Sequence, residues 1–218
     1  MCEMDKIKHI SMKHNIPIIE DAAQSIGSKF LNSHAGSYSS VACFSAHPLK
    51  NLNAFGDAGY LITNNNEIAK KARLLINHGI YKRDKILNFG YVSRMDNIQA
   101  AILNHNLKKL DQIIKIRRSN ATLYSKILDK KNIYFPKITP KYFDTYHTFV
   151  IQVNNRNKLK KYLETHSIGT SIHYPIPIHL QPAAKKLGYK KGDFPKCEEL
   201  SKKILSLPIH QYLQKKDI

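Results

Sequence analysis

Cysteine is scarce and scattered in this chain. Its three cysteines, Cys2, Cys43 and Cys197, are odd in number and far apart, with no C-x-x-C spacing. That excludes a disulfide framework and suits a reducing cytoplasm. Cys43 sits in an apolar run just before Phe44 and is expected in the core. Long apolar runs are missing too. No stretch of about 18 such residues occurs, so no membrane span is expected. Glu3, Asp5, Lys6 and Lys8 interrupt any apolar signal core at the start. Acidic residues are few, 16 against 35 basic ones, for a formal net charge of +19. Such a balance invites a nucleic-acid reading, but only six of the basic residues are arginine (73, 83, 94, 117, 118 and 156). Base-edge and bidentate phosphate recognition favour arginine. The lysines, such as Lys158, Lys160, Lys161, Lys202 and Lys203, have no aromatic stacking stripe among them, so no nucleic-acid partner is expected. HExxH, GxGxxG and GxxxxGK are all absent, and no metal site is expected. Neither an internal repeat nor a low-complexity tract interrupts the chain.

What remains is an ordinary α/β pattern. At 218 residues and 42% hydrophobic content, the chain can build a normal core in one or two domains. Residues 5–15 read as a helix. The nearly continuous apolar run from Ile16 to Glu20 reads as a strand buried on both faces. Val41–Phe44 and Tyr60–Thr63 read as strands bracketing a turn, and 66–77 as a helix. Asp96, with Gln99 three positions on, has the pattern of a capping box. The helix behind it is expected to run to about Leu128 and to join two domains, 1–128 and 129–218. Arg94 is expected to be buried and paired. Beyond 129 short elements alternate: a strand in 147–153, a helix over 158–165, a strand over 170–174 and a helix over 197–205. Pro175, Pro177 and Pro182 mark an irregular loop between the last two.

The residues that carry chemistry stand at the end of the first strand and after the second. An acid, Asp21, closes the run Ile16-Pro17-Ile18-Ile19-Glu20, and Ala22-Ala23-Gln24 follow. Lys50 comes 29 positions after Asp21, in the small-residue turn Phe44-Ser45-Ala46-His47-Pro48-Leu49. Ligands of open α/β sheets sit at the carboxyl ends of strands, and Asp21 is at such an end. A lysine amine and a strand-end carboxylate are the two groups a pyridoxal phosphate (PLP) enzyme requires. The amine forms a Schiff base with the cofactor aldehyde. The carboxylate keeps the pyridine nitrogen protonated, so that the ring can accept electrons.

The segments 16–24, 44–52 and Gly56-Asp57-Ala58-Gly59 together resemble the DegT/StrS-type nucleotide-sugar aminotransferases, which are fold-type I PLP enzymes. Further matching segments follow in order: Asn77-His78-Gly79, 90–101, 173–181 and Leu205-Ser206-Leu207-Pro208. The resemblance implies an α/β fold, with a truncated fold-type I PLP-transferase large domain and a small carboxyl-terminal α/β domain. It implies Lys50 as the Schiff-base and proton-shuttling lysine, and Asp21 as the pyridinium partner. Gln24 would lie over the cofactor near its ring hydroxyl, and Ser45 would donate to its phosphate. His47, His173 and His179 are the candidates for substrate contact, with a packed structural role equally open for each.

The implied reaction is transfer of an amino group, from glutamate as the expected donor, to a keto-sugar carried on a nucleotide. It would serve surface-polysaccharide or deoxyamino-sugar synthesis, in a cytoplasmic enzyme that is a homodimer in its full-length form. Excess positive charge would attract such an anionic substrate. A PLP sugar dehydratase is disfavoured, because relatives of that kind carry histidine in place of Lys50. Two departures stand out. Val92 replaces an asparagine that in relatives reaches the cofactor phosphate of the neighbouring subunit, and valine cannot donate a hydrogen bond. Ala58 stands where glycine is usual. Relatives also carry, ahead of the first matching segment, a Gly-Thr phosphate-binding turn and an aromatic residue that stacks on the cofactor. The sequence starting Met1-Cys2-Glu3-Met4 shows neither. The chain is therefore expected to be a piece of such an enzyme, with a non-catalytic remnant or one half of a split enzyme as the alternatives.

Overall fold

The computed structural model describes all 218 residues, and they divide into two compact units. The first comprises 1–115 with 138–147, the second 116–137 with 148–218. Helix α1 (Met4–His14) opens the first unit and ends where Asn15 turns left-handed, at φ 50°. Strand β1 (Ile19–Asp21) follows. Two short strands, β2 (Lys29–Phe30) and β3 (Ser33–His34), precede β4 (Val41–Ser45) and β5 (Gly59–Ile62). β4 pairs in parallel with β1, Asp21 opposite Cys43, and antiparallel with β5. β1 is thus the edge of a three-stranded sheet. Ile16 and Ile19 are largely exposed. The expectation of a strand covered on both faces fails, because burial along β1 alternates, with Ile19 and Asp21 exposed and Glu20 half-buried.

β4 also corrects the reading of Cys43. Ala42 and Phe44 point into the core, where Phe44 stacks on Tyr60, so Cys43 between them faces outward and is exposed. Gly59 sits where a Cβ would lie 2.9 Å from the Phe44 carbonyl oxygen, so only glycine lets β5 begin this close to β4. Helix α2 (Asn66–Leu75) starts on Asn65, whose side chain accepts the Glu67 and Ile68 N–H groups. Strands β6 (Ile80–Lys82) and β7 (Lys85–Ile86) form a small hairpin.

The expected single helix after Asp96 is two: α3 (Asn97–Leu107) and α4 (Leu110–Ile127). No glycine or proline marks the break. The Asn106 side chain there donates to the Asn53 carbonyl, and Lys109 N–H bonds back three residues to the Asn106 carbonyl. Nor does a capping box form. Asp96 makes no side-chain cap bond, and Gln99 Oε1 instead accepts the Phe55 N–H at 2.9 Å. Strand β8 (Tyr142–Phe143) completes the sheet β3-β2-β8. A cluster of Ala46, Leu52, Ala54, Leu103, Leu110 and Ile114 packs under the Lys50 turn, with Ala58 and Met95 at its margin.

In the second unit β9 (Phe149–Gln152) pairs antiparallel with β10 (Ile204–Leu207). Helices α5 (Arg156–Thr165) and α6 (Pro195–Lys203) lie between them in sequence. The expected helix over 197–205 ends at Lys203, because Leu205 and Ser206 are buried in β10. The strand expected over 170–174 reduces to one bridge, Ser171 with Ser206, and short 3-10 turns occupy 178–180 and 182–187. Arg94 is exposed and makes no ion pair. The buried arginines are Arg117 and Arg156, which donate to the Ile209 and Ile204 carbonyls. No helix is long and apolar enough to cross a membrane.

Candidate functional site

Parallel pairing of β1 with β4 brings their carboxyl ends side by side. Asp21 is the last residue of β1 and Ser45 the last of β4. One carboxylate oxygen of Asp21 accepts the Ala23 N–H at 3.1 Å, which turns the chain away from the strand and leaves the head group exposed. Gln24 is on this turn and is also exposed. The Ala22 N–H bonds the Cys43 carbonyl at 2.9 Å, extending the β1–β4 ladder past Asp21.

After β4 the chain enters a tight turn built around His47. The His47 N–H donates to Ser45 Oγ at 3.3 Å, its carbonyl accepts the Lys50 N–H at 2.8 Å, and its Nδ1 accepts the Leu49 N–H at 3.2 Å. That last bond places the ring proton, if there is only one, on Nε2. The Ala54 N–H then returns to the Ala46 carbonyl, and the Ala46 N–H reaches the Ala58 carbonyl, each at 2.8 Å. Lys50 is half-buried, and its amine forms neither a hydrogen bond nor an ion pair. These bonds tie the main chain of the turn while the Lys50 amine is left uncommitted.

Beneath the turn are residues that the sequence did not single out for this purpose. Asn51 Nδ2 donates to the Thr145 carbonyl at 2.9 Å, and Thr145 Oγ1 lies 3.0 Å from Ser28 Oγ. Gln99 and Asn106 support residues 53–55 from α3. Asn51 and Gln99 were visible within longer matching segments. A lone serine and a lone threonine carry no pattern.

His173 and His179 belong to the second unit. The Nδ1 of His173 lies 2.8 Å from Ser206 Oγ. His179 is buried with its Nε2 3.1 Å from Glu198 Oε1, and its ring packs against Phe194. The Gly192 N–H donates to the same oxygen at 2.7 Å, and it and His179 hold the Glu198 carboxyl below its ordinary range. Val92 is exposed and forms a bridge with Asn77.

Asp21 and Ser45 end adjacent parallel strands of an α/β protein, the position at which ligands of open α/β sheets bind, and Lys50 follows five residues after Ser45. The chain belongs to the DegT/DnrJ/EryC1/StrS aminotransferase family, whose profile matches residues 1–218. Enzymes of this family are PLP-dependent. It is 37% identical over 217 residues to a pleiotropic regulatory protein of Geobacillus stearothermophilus, covering 98% of this chain and 58% of that one. It is 35% identical over 214 residues to a dTDP-3-amino-3,4,6-trideoxy-alpha-D-glucose transaminase of Streptomyces venezuelae, covering 98% and 56%. Among solved structures, S. venezuelae DesV in complex with a ketimine intermediate superposes with a TM-score of 0.95 at 33% identity, covering all of this chain and 59% of that one. The chain thus spans a little over half the length of the relatives it matches.

Proposed function

We propose that this chain is the part of a PLP-dependent aminotransferase that holds the reactive end of the cofactor. The whole protein would move an amino group from an amino acid, glutamate by expectation, to a nucleotide-linked keto-sugar in polysaccharide or deoxyamino-sugar synthesis. The observation that carries the reading is the convergence of Asp21, Ser45 and the uncommitted Lys50 at two adjacent strand ends. Similarity to a dTDP-sugar transaminase supports the substrate class.

The donor set fits the cofactor. Asp21 offers a carboxylate to a protonated ring nitrogen, Ser45 a hydroxyl to a phosphate, and Lys50 an amine to an aldehyde. Bound PLP supplies an electron sink for the pair left behind when a proton leaves the substrate carbon. Lys50 would hold the cofactor through Nζ and, once released from it as a free amine, would carry the transferred proton on that atom. Asp21 would offer its carboxylate to the ring nitrogen and so favour the protonated ring. Gln24, exposed on the turn after Asp21, is assigned to the ring hydroxyl. His47 shapes the turn that presents Lys50, through three bonds made by its own main chain and ring. His179 is assigned a structural role, given its bond to Glu198, whereas His173 keeps the substrate assignment.

In the whole protein, 1–128 would belong to the cofactor-binding domain and 129–218 to the small domain. A homodimer is the expected assembly, with Val92 unable to supply the phosphate contact that asparagine gives in relatives. The lysine at position 50 favours amino transfer over dehydration.

The test is Asp21→Asn, which keeps size and removes charge. Turnover of a nucleotide-linked keto-sugar with glutamate is expected to fall by about 10²–10³, as when a single preorganised electrostatic group is lost. Near-normal turnover in the variant would remove Asp21 from the role.

A further inference from the structure

The two halves of the candidate site come from different stretches of chain, and one buried residue joins them. Thr145 is 1% exposed, Ser28 3% and Asn51 4%, so all three polar side chains are sealed from water. Ser28 ends a series of tight turns that starts at Asp21: Ala23 N–H to Asp21 Oδ1, Ser25 N–H to the Ala22 carbonyl, Ser28 N–H to the Ser25 carbonyl. Gly27 within it adopts φ +75°, and a Cβ there would lie 2.6 Å from the Ile114 side chain. This segment therefore has little freedom. Asn51 directly follows Lys50, whose own N–H is fixed to His47. Thr145 meets the first segment with its hydroxyl and the second with its carbonyl.

Stability alone does not account for this arrangement. Asn51 Oδ1 is buried and accepts no hydrogen bond, so the amide gains one bond at the expense of one desolvated acceptor. A leucine of similar volume would avoid the orphan. A buried polar group that contributes little net stability, standing directly after Lys50, points to a positional requirement.

We propose that Ser28, Thr145 and Asn51 form a buried bridge that fixes the Lys50 turn against the Asp21 strand end, making Thr145 and Asn51 positioning residues. The proposal rests on Lys50 and Asp21 as the cofactor-holding pair. Release of either link lets the turn rotate, so that Lys50 leaves its half-buried position.

The experiment uses the full chain and the variants Asn51→Leu, Thr145→Val and Thr145→Ser. First, in the absence of cofactor, acetic anhydride is applied and acetylation of Lys50 is followed by peptide mass, with exposed lysines as internal references. Asn51→Leu should raise the relative rate at Lys50 to that of the exposed lysines. Second, PLP retention and the pH dependence of its absorbance are measured. Thr145→Val and Asn51→Leu should lower retention about tenfold, the scale of one lost hydrogen bond, and displace the absorbance titration. Thr145→Ser keeps the hydroxyl and should restore both. Unchanged Lys50 reactivity and unchanged absorbance titration in folded Asn51→Leu and Thr145→Val would overturn the bridge. If the unsubstituted protein loads PLP on a residue other than Lys50, the underlying reading fails instead, and the two failures are distinguishable.

Discussion

The Lys50 turn and the 208–211 segment treat their polar groups in opposite ways. Along 208–211 three side chains of one face of α4 donate to main-chain carbonyls, and Arg117 Nη2 also donates to Gln211 Oε1. Tyr124 Oη donates to Pro208, Arg117 Nη1 to Ile209 and Asn120 Nδ2 to His210, at 3.0, 2.8 and 3.1 Å. Burial presses the Arg117 guanidinium below its ordinary pKa and the Tyr124 hydroxyl above its own. Around Lys50 the main chain is also tied by several bonds, yet the Lys50 amine and the Gln24 amide are uncommitted, and Asp21 spends only one carboxylate oxygen, on the Ala23 N–H. The contrast separates polar residues that build the fold from those held ready for a ligand. Burial and hydrogen bonding together make the distinction, because either alone would have ranked Arg117 and His179 above Lys50.

Three substitutions probe that contrast, in descending order of effect on stability. Arg117→Met keeps the apolar stem and removes the donors to the buried Ile209 carbonyl and to the half-buried Gln211 side chain. It should destabilise the protein by about 2–3 kcal/mol in urea unfolding, from the loss of charged hydrogen bonds and the acceptors left behind. A loss below about 0.5 kcal/mol would mean that the α4 face is not holding this segment. Glu198→Gln tests the His179 contact. The folded carboxyl is held below its unfolded value, so its contribution is fully present above the ordinary glutamate range and is lost as pH falls through the folded pKa. The variant should therefore show a flatter decline of stability with acidification than the parent. An identical acid limb would show that the carboxylate is not held by Gly192 and His179. Smallest of all, Lys50→Ala should leave the unfolding midpoint nearly unchanged, within about 0.5 kcal/mol, since that amine bonds to nothing in the fold. A larger loss would erase the distinction between the two regions.

The sequence was most informative where chemistry and periodicity coincide. Asp21 at a strand end and Lys50 in a small-residue turn were visible because both elements have short, well-bounded patterns. The strands β4, β5 and β9 were located within one or two residues, whereas β1 begins three residues later than read and the strand read over 170–174 is a single bridge. Their faces were harder to read. A run such as Val41-Ala42-Cys43-Phe44 looks continuously apolar, yet the pleat turns Cys43 outward. Gln99 had the spacing of a capping residue, but the Phe55 N–H competed for it successfully from 44 residues away. The α3–α4 break lacks proline and glycine, so no local signal announced it. The Asp21–Lys50 support through Ser28 and Thr145 spans 117 positions and is a tertiary fact only. Arg94 and Arg117 make the same point. Which arginine is buried depends on what each helix or loop packs against, and a single sequence does not encode that locally.

The central claim is that Lys50 is the amine that holds the cofactor. The direct measurement is to incubate the full chain with PLP, reduce with borohydride, digest, and locate the added mass by peptide sequencing. The account predicts the cofactor on Lys50 and no stoichiometric adduct in Lys50→Ala. An adduct confined to another lysine, or one of equal yield in Lys50→Ala, would contradict it.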